Sequence, residues 1–243
     1  MKRFALLLVV LTPLLFSSCF EILEEIYLQK DGKGTYLYTI DMSALMDESM
    51  KELLASAAAE GEANSLEGVE IDSTIYFRDA NPDEIAALDR PEIFKRAFMK
   101  IQMSDEQDKM VMQFGLDFED VGEIDYFLQN LDKVSGGDLQ GGEMGKGLLL
   151  TSQAAQMFAL KGKKLTRLAT PDLGEDVNNE DMSMLSMFME SATFTTIYHL
   201  PGKVKKTSIP GAVIEGKDVR VESSLLDLMN GEEAPKGWIK FGR

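Results

Sequence analysis

The stretch Ala97-Phe98-Met99-Lys100-Ile101-Gln102-Met103-Ser104, Asp105-Glu106-Gln107-Asp108, Lys109-Met110-Val111-Met112-Gln113-Phe114-Gly115-Leu116 decides the fold class. Ala97, Met99, Ile101 and Met103 alternate with Phe98, Lys100 and Gln102. After the polar turn at 105–108, Met110, Met112, Phe114 and Leu116 alternate with Val111, Gln113 and Gly115. Successive strand residues point to opposite faces, so a period of two marks half-buried antiparallel strands.

The same grammar appears upstream. Tyr27-Leu28-Gln29-Lys30 leads through Asp31-Gly32-Lys33-Gly34 into Thr35-Tyr36-Leu37-Tyr38-Thr39-Ile40. Asp-Gly between β-prone runs is a hairpin signal, because glycine takes the positive φ that the turn needs. Tyr36, Tyr38 and Ile40 fall on one face. Each hairpin ends at a helix signal. Ser43 is placed to cap a helix with Leu45, Met46, Met50, Leu53, Leu54 and Ala57 in one stripe, ending near Gly61. A helix over 121–131 would bury Ile124, Phe127, Leu128 and Leu131. The two junctions, Ile40-Asp41-Met42-Ser43 and Leu116-Asp117-Phe118-Glu119, suggest a repeated ββα unit, with chance similarity the competing explanation.

Between the hairpins, 60–67 reads as loop, Ile75-Tyr76-Phe77 as a short strand, and Asn81-Pro82-Asp83 as the start of a helix over 84–88. Beyond them lies a glycine-rich loop at 135–147, and 148–160 mixes helix and strand signals. Lys161-Gly162-Lys163-Lys164 turns into a strand over 165–168. An acidic loop over 171–181 precedes a methionine-rich helix over 182–189. Strands are expected at 193–200 and 203–208, a hairpin at 212–221, a short helix at 225–229 and a last strand at 238–241. The fold class is α+β: one twisted, mainly antiparallel sheet built from hairpins, with helices covering one face.

The 243 residues hold 25 basic and 41 acidic side chains, a formal charge of −16. Such a surface repels phosphate backbones, which argues against nucleic acid as partner. Anionic lipid headgroups would repel most of it as well.

The N-terminus has its own signature. Met1-Lys2-Arg3 precedes an apolar run from Phe4 to Phe16, interrupted by Thr12 and Pro13 and followed by Ser17-Ser18-Cys19. A bilayer-spanning helix needs about 20 apolar residues. This run is shorter, so a cleaved leader is expected rather than a retained span. Leu15-Phe16-Ser17-Ser18-Cys19 resembles the lipobox of bacterial lipoproteins, with Phe16 in place of the usual aliphatic residue. The resemblance implies a signal peptide over 1–18, a mature domain over 19–243, and lipid attached to Cys19. Two or more acyl chains would make the anchor durable. Phe20, rather than Asp, after the cysteine favours outer-membrane delivery by the enteric sorting rule. Cys19 is the single cysteine, so lipidation would leave no thiol for disulfides or thiolate metal sites. The four or five residues to a strand near Glu24 span at most roughly 18 Å, which places the domain close to the membrane.

Catalytic and metal chemistry find little footing. His199 is the single histidine, so neither a histidine triad nor a multi-histidine zinc site can be built, and it reads as a surface or second-face strand residue. Asp117, Glu119 and Asp120 lie at a strand-to-helix junction. Glu175, Asp176, Glu180 and Asp181 lie in a loop. Neither group has calcium-loop spacing, and no cofactor or metal is expected. Asp31-Gly32-Lys33-Gly34 lacks the phosphate-loop pattern. Two basic spots break the acidity: Lys161, Lys163, Lys164 and Arg167, and Lys203, Lys205 and Lys206. At one end of the sheet near the anchor they could meet anionic headgroups; lysines guarding strand edges are the plainer reading. Met182, Leu185, Phe188 and Met189 share a helix face that suits either an apolar groove or ordinary core packing.

Two stretches together resemble the LppM-type lipoprotein domain. One is the lipobox followed by the hairpin Ile26 to Tyr36. The other is Tyr198-His199-Leu200-Pro201-Gly202-Lys203-Val204 with the hairpin at Gly216-Lys217-Asp218-Val219. The resemblance covers about a quarter of the chain. It implies an envelope α+β domain with a lipid-binding role, and it carries over no site residue. The resulting expectation is a non-enzymatic, membrane-anchored binding or assembly module of the cell envelope, with a lipid or protein partner. An envelope hydrolase using dispersed carboxylates and a purely structural surface lipoprotein are the alternatives.

Overall fold

The computed structural model describes residues 20–46, 68–134, 156–169, 192–229 and 235–242. Outside them lie the expected leader 1–18 and Cys19, the expected helix positions Met50, Leu53, Leu54 and Ala57, and the expected loop at 60–67. The expected glycine-rich loop 135–147, acidic loop 171–181 and helix with Met182, Leu185, Phe188 and Met189 also lie outside.

Among the described residues, twelve strands form two sheets. β1 (Glu21–Leu28) and β2 (Gly34–Asp41) make the first hairpin. β3 (Glu70–Tyr76), β4 (Ala97–Ser104) and β5 (Lys109–Phe118) form a meander whose β4–β5 register pairs Met99 with Phe114 and Ala97 with Leu116. β8 (Thr193–His199), β10 (Val213–Glu215) and β11 (Asp218–Ser224) complete an eight-stranded sheet in the order β10-β11-β8-β1-β2-β5-β4-β3. The second sheet runs β6 (Phe158–Lys161), β7 (Lys164–Arg167), β12 (Gly237–Phe241), β9 (Val204–Thr207).

One expected sheet is therefore two, and the reason is pairing capacity. β8 bonds β1 on one side and β11 on the other, so both of its edges are taken. The strand after Pro201-Gly202 cannot fold back on it and pairs with β12 instead. The β1–β8 pair is also parallel, with Glu21 opposite Thr193 and Tyr27 opposite His199. Parallel neighbours need a long crossover, which here spans the whole middle of the chain.

Register builds one continuous buried face on the large sheet. Ile22, Glu24 and Ile26 lie opposite Ile40, Tyr38 and Tyr36 on β2, and opposite Phe194, Thr196 and Tyr198 on β8. Phe114 and Leu116 extend it on one side, Val219 and Val221 on the other. Five α-helices are described: α1 (Phe77–Ala80), α2 (Pro82–Ala86), α3 (Pro91–Phe94), α4 (Gly122–Val134) and α5 (Leu225–Met229). α4 buries Ile124, Phe127, Leu128 and Leu131, as its 3.6-residue spacing requires. α3 packs against β4 and β5, and α4 against β5 and β6. Phe77, expected in a strand, instead opens α1 and sets its ring edge-on to Phe94, 5.8 Å between centroids. Ser43–Met46 is a 3₁₀ turn whose Ser43 Oγ accepts from the Met110 amide at 3.1 Å.

The cover over the buried face is not helical alone. The second sheet packs on it beside α4: Arg167 of β7 reaches Glu24 of β1, and Asp125 of α4 accepts from the amides of Met157 and Phe158 just before and within β6.

Candidate functional site

The second sheet separates apolar residues from lysines by strand parity. Phe158, Leu165, Arg167, Ile239 and Phe241 point inward and are buried. The alternate positions face out. Cross-strand register sets Lys161 opposite Lys164, Lys164 opposite Lys240, and Lys240 opposite Lys206. One row of four lysines thus crosses all four strands, with neighbouring strands about 4.8 Å apart. Trp238, one step along the outward face of β12, has the Nζ of Lys164 5.1 Å and that of Lys240 5.6 Å from its ring centroid. Exposed Lys163, Lys203 and Lys205 border the row. Residues 156–169, 200–212 and 235–242, which form this sheet and its turns, contain nine basic residues and no acidic one.

The lysines of the two basic spots read in the sequence therefore share one surface, whereas Arg167, read with the first spot, has the opposite strand parity and is buried against Glu24. This surface does not sit at the N-terminal end of β1, however, where the expected anchor would be. Phe20, the neighbour of Cys19, immediately precedes β1, whereas the β6–β7 turn lies beside the β1–β2 turn at the other end of β1. Gln29, Asp31, Gly162, Lys163, Pro201 and Gly242 line a shared cleft of about 540 Å³ there. Seven residue steps along β1 amount to about 23 Å. Sequence reasoning missed Lys240 and Trp238 as members of this surface. The signal was present in the alternation Lys236, Trp238, Lys240 against Ile239 and Phe241.

Gly237 makes the approach of β12 feasible. Its φ of +152° is one that side-chain-bearing residues rarely adopt, and an added Cβ would stand 2.9 Å from the Ile209 amide nitrogen. The Trp238 amide then donates to Ser208 Oγ at 2.9 Å, and Thr207 Oγ1 donates to the Trp238 carbonyl at 3.1 Å.

His199 is more engaged than a plain surface residue. Its Nδ1 lies 3.0 Å from Asp218 and its Nε2 3.3 Å from Glu25. Its ring stacks on Tyr27 at 4.1 Å and 12°. Tyr27 donates to Glu25 at 2.7 Å; partial burial, then this carboxylate, push its phenol up to about 12. Carboxylates do converge here, but on an imidazole whose two nitrogens both face them. Among the residues lining the cleft beyond β1, Asp31 is the single carboxylate. No group of three or more metal-ligating side chains occurs among the described residues.

The Glu24–Arg167 cluster between the sheets has no solvent access. Glu24 accepts from Tyr36 at 3.0 Å and Thr196 at 2.9 Å, and Arg167 bonds the same carboxylate. Arg167 also bonds the Ala169 carbonyl at 3.1 Å. Burial and the Glu24 charge hold the Tyr36 phenol well above its usual range. For Arg167, burial works against the charge, but Glu24 outweighs it and raises its basicity further.

No family model matches the chain, and no curated protein does. Among solved structures, the chain is similar to the NMR structure of the folded domain of the Mycobacterium tuberculosis LppM protein. The identity is 9%, the coverage is 92% of this chain and 89% of that one, and the TM-score is 0.42.

Proposed function

We propose that this chain is a bacterial lipoprotein that acts without enzymatic chemistry, as a binding or assembly module of the cell envelope held to a membrane through lipidated Cys19. The observation that carries the reading is the order of the N-terminus: Lys2-Arg3, an apolar run too short to span a bilayer, then Leu15-Phe16-Ser17-Ser18-Cys19 directly before the first strand. Delivery to the outer membrane belongs to the proposal, on the strength of Phe20 after the cysteine. The partner is an envelope lipid or protein. The stripe Met182, Leu185, Phe188 and Met189 is its proposed apolar seat.

The test is the intact mass of the native, detergent-extracted protein beside a Cys19→Ala form. The expected mass begins at Cys19 and includes acyl chains, and the variant loses both the acyl mass and the membrane retention that resists high salt. An unacylated N-terminus in the native protein would overturn the reading. Copurifying lipid or protein would then identify the partner, and its loss in a Met182→Glu, Leu185→Glu variant would place it on the stripe.

A further inference from the structure

We infer that the outward face of the second sheet, the row Lys161, Lys164, Lys240 and Lys206 with Trp238 beside it, is a docking surface for an anionic lipid bilayer. The argument starts from what the row costs the fold. Like charges placed directly opposite on neighbouring strands are destabilising, and register makes this happen at three successive pairs. Protection of sheet edges explains Lys161 and Lys206, which lie on the edge strands β6 and β9. It does not explain Lys164 and Lys240, because β7 and β12 are the two central strands. Solubility does not explain them either, since the rest of the chain gains it from acids, 41 against 25 bases.

The surroundings leave these charges available. Among the described residues, no ion pair involves Lys161, Lys164, Lys205, Lys206 or Lys240. With a screening length of about 10 Å at 0.1 M salt, an anion on this face responds mainly to the face itself and weakly to the acidic remainder of the molecule.

The chemistry of the face selects the partner. It is an open sheet surface carrying lysines as point charges. Such a surface suits many phosphates in a plane more than one phosphate in a cradle. Trp238 adds an amphipathic ring of the kind that settles at the headgroup level of membranes. The two sheets are stacked, so the basic face looks out sideways from the body, and the domain meets a bilayer on its flank. The surface requires no lipid on Cys19 and stands apart from the anchoring proposal.

The test uses the full chain with Cys19→Ser, so that no acyl group contributes. Co-sedimentation is measured with vesicles of phosphatidylcholine alone and with vesicles containing phosphatidylglycerol. The expected result is binding to the anionic vesicles only, lost at high salt. Each lysine at such a surface is worth roughly fivefold in affinity, so the Lys164→Gln, Lys206→Gln, Lys240→Gln variant should bind about a hundredfold more weakly. Trp238 is the single tryptophan, and its emission should shift to the blue on vesicle addition. Unchanged thermal unfolding of the triple variant keeps the comparison valid; should it unfold early, the single Lys240→Gln form is read instead, with about a fivefold loss. Absence of anionic-vesicle binding, equal binding by the lysine variants, or an unmoved Trp238 emission would each overturn the inference. So would equal binding to soluble polyphosphate, which would make the ligand a free phosphate polymer.

Discussion

Glu24 and Arg167 meet where the two sheets face each other, and neither side chain has any exposure. A buried pair of this kind is weak evidence for stability, since apolar residues of the same size often do as well. Losing one partner, though, strands a charge and costs about 3–5 kcal/mol. We expect Glu24→Leu to lower the urea unfolding free energy by that order, and Glu24→Leu with Arg167→Met to recover most of the loss. Additive losses in the double variant would show that the two residues act separately. Sequence reasoning missed Glu24, although Ile22, Ile26 and Leu28 share its parity and so mark the acid as core-facing. Which cation could not be read, because Arg167 lies 143 residues away and only the stacking of the sheets brings it there.

At the scale of elements, Asp125 joins α4 to β6 through the amides of Met157 and Phe158 at 3.0 and 3.3 Å. Burial raises its carboxyl to about 6, against the opposing pull of those two amides. The folded state thus holds this proton more tightly than the unfolded chain, whose value is 3.8. The resulting contribution is fully present below pH 3.8 and is lost as pH rises through 6. Asp125→Asn keeps an oxygen acceptor and removes the titration. Its unfolding free energy should lack a decline of roughly 2–3 kcal/mol between these pH values. A parent and variant with parallel pH profiles would contradict this. In β12, Gly237→Ala should cost roughly 1–3 kcal/mol, through φ strain and the contact with the Ile209 amide. Urea unfolding followed by Trp238 emission reads it, and an unchanged midpoint would mean that the strand shifts freely.

At the scale of the molecule, local pattern and long-range arrangement separate cleanly. The hairpins around Gly32 and Asp105–Asp108, the turn and strand after Gly162, and the buried stripe of α4 follow from short-range periodicity and turn chemistry, and they were legible, whereas β6 before Gly162 gave mixed signals. The division into two sheets was not. It depends on β8 having both edges occupied, and strand neighbours far apart in sequence leave no trace in either strand's own pattern. The basic surface was half legible for the same reason. Its lysines could be counted along the chain, but only the cross-strand register of β6, β7, β12 and β9 turns separate spots into a row.

The parallel pairing of β1 with β8 has a consequence in time. β1 leaves the ribosome before β8, its partner on one side, which follows more than 160 residues later. Until then the first hairpin carries an open edge of unpaired amides and carbonyls, a template for pairing with a neighbouring chain. Closing so long a loop is slow, and chains whose contacts are mostly distant fold late. The chain is therefore aggregation-prone while the intervening segment is made, and a holding chaperone has a defined interval in which to act: from the emergence of Leu28 to the arrival of Thr193.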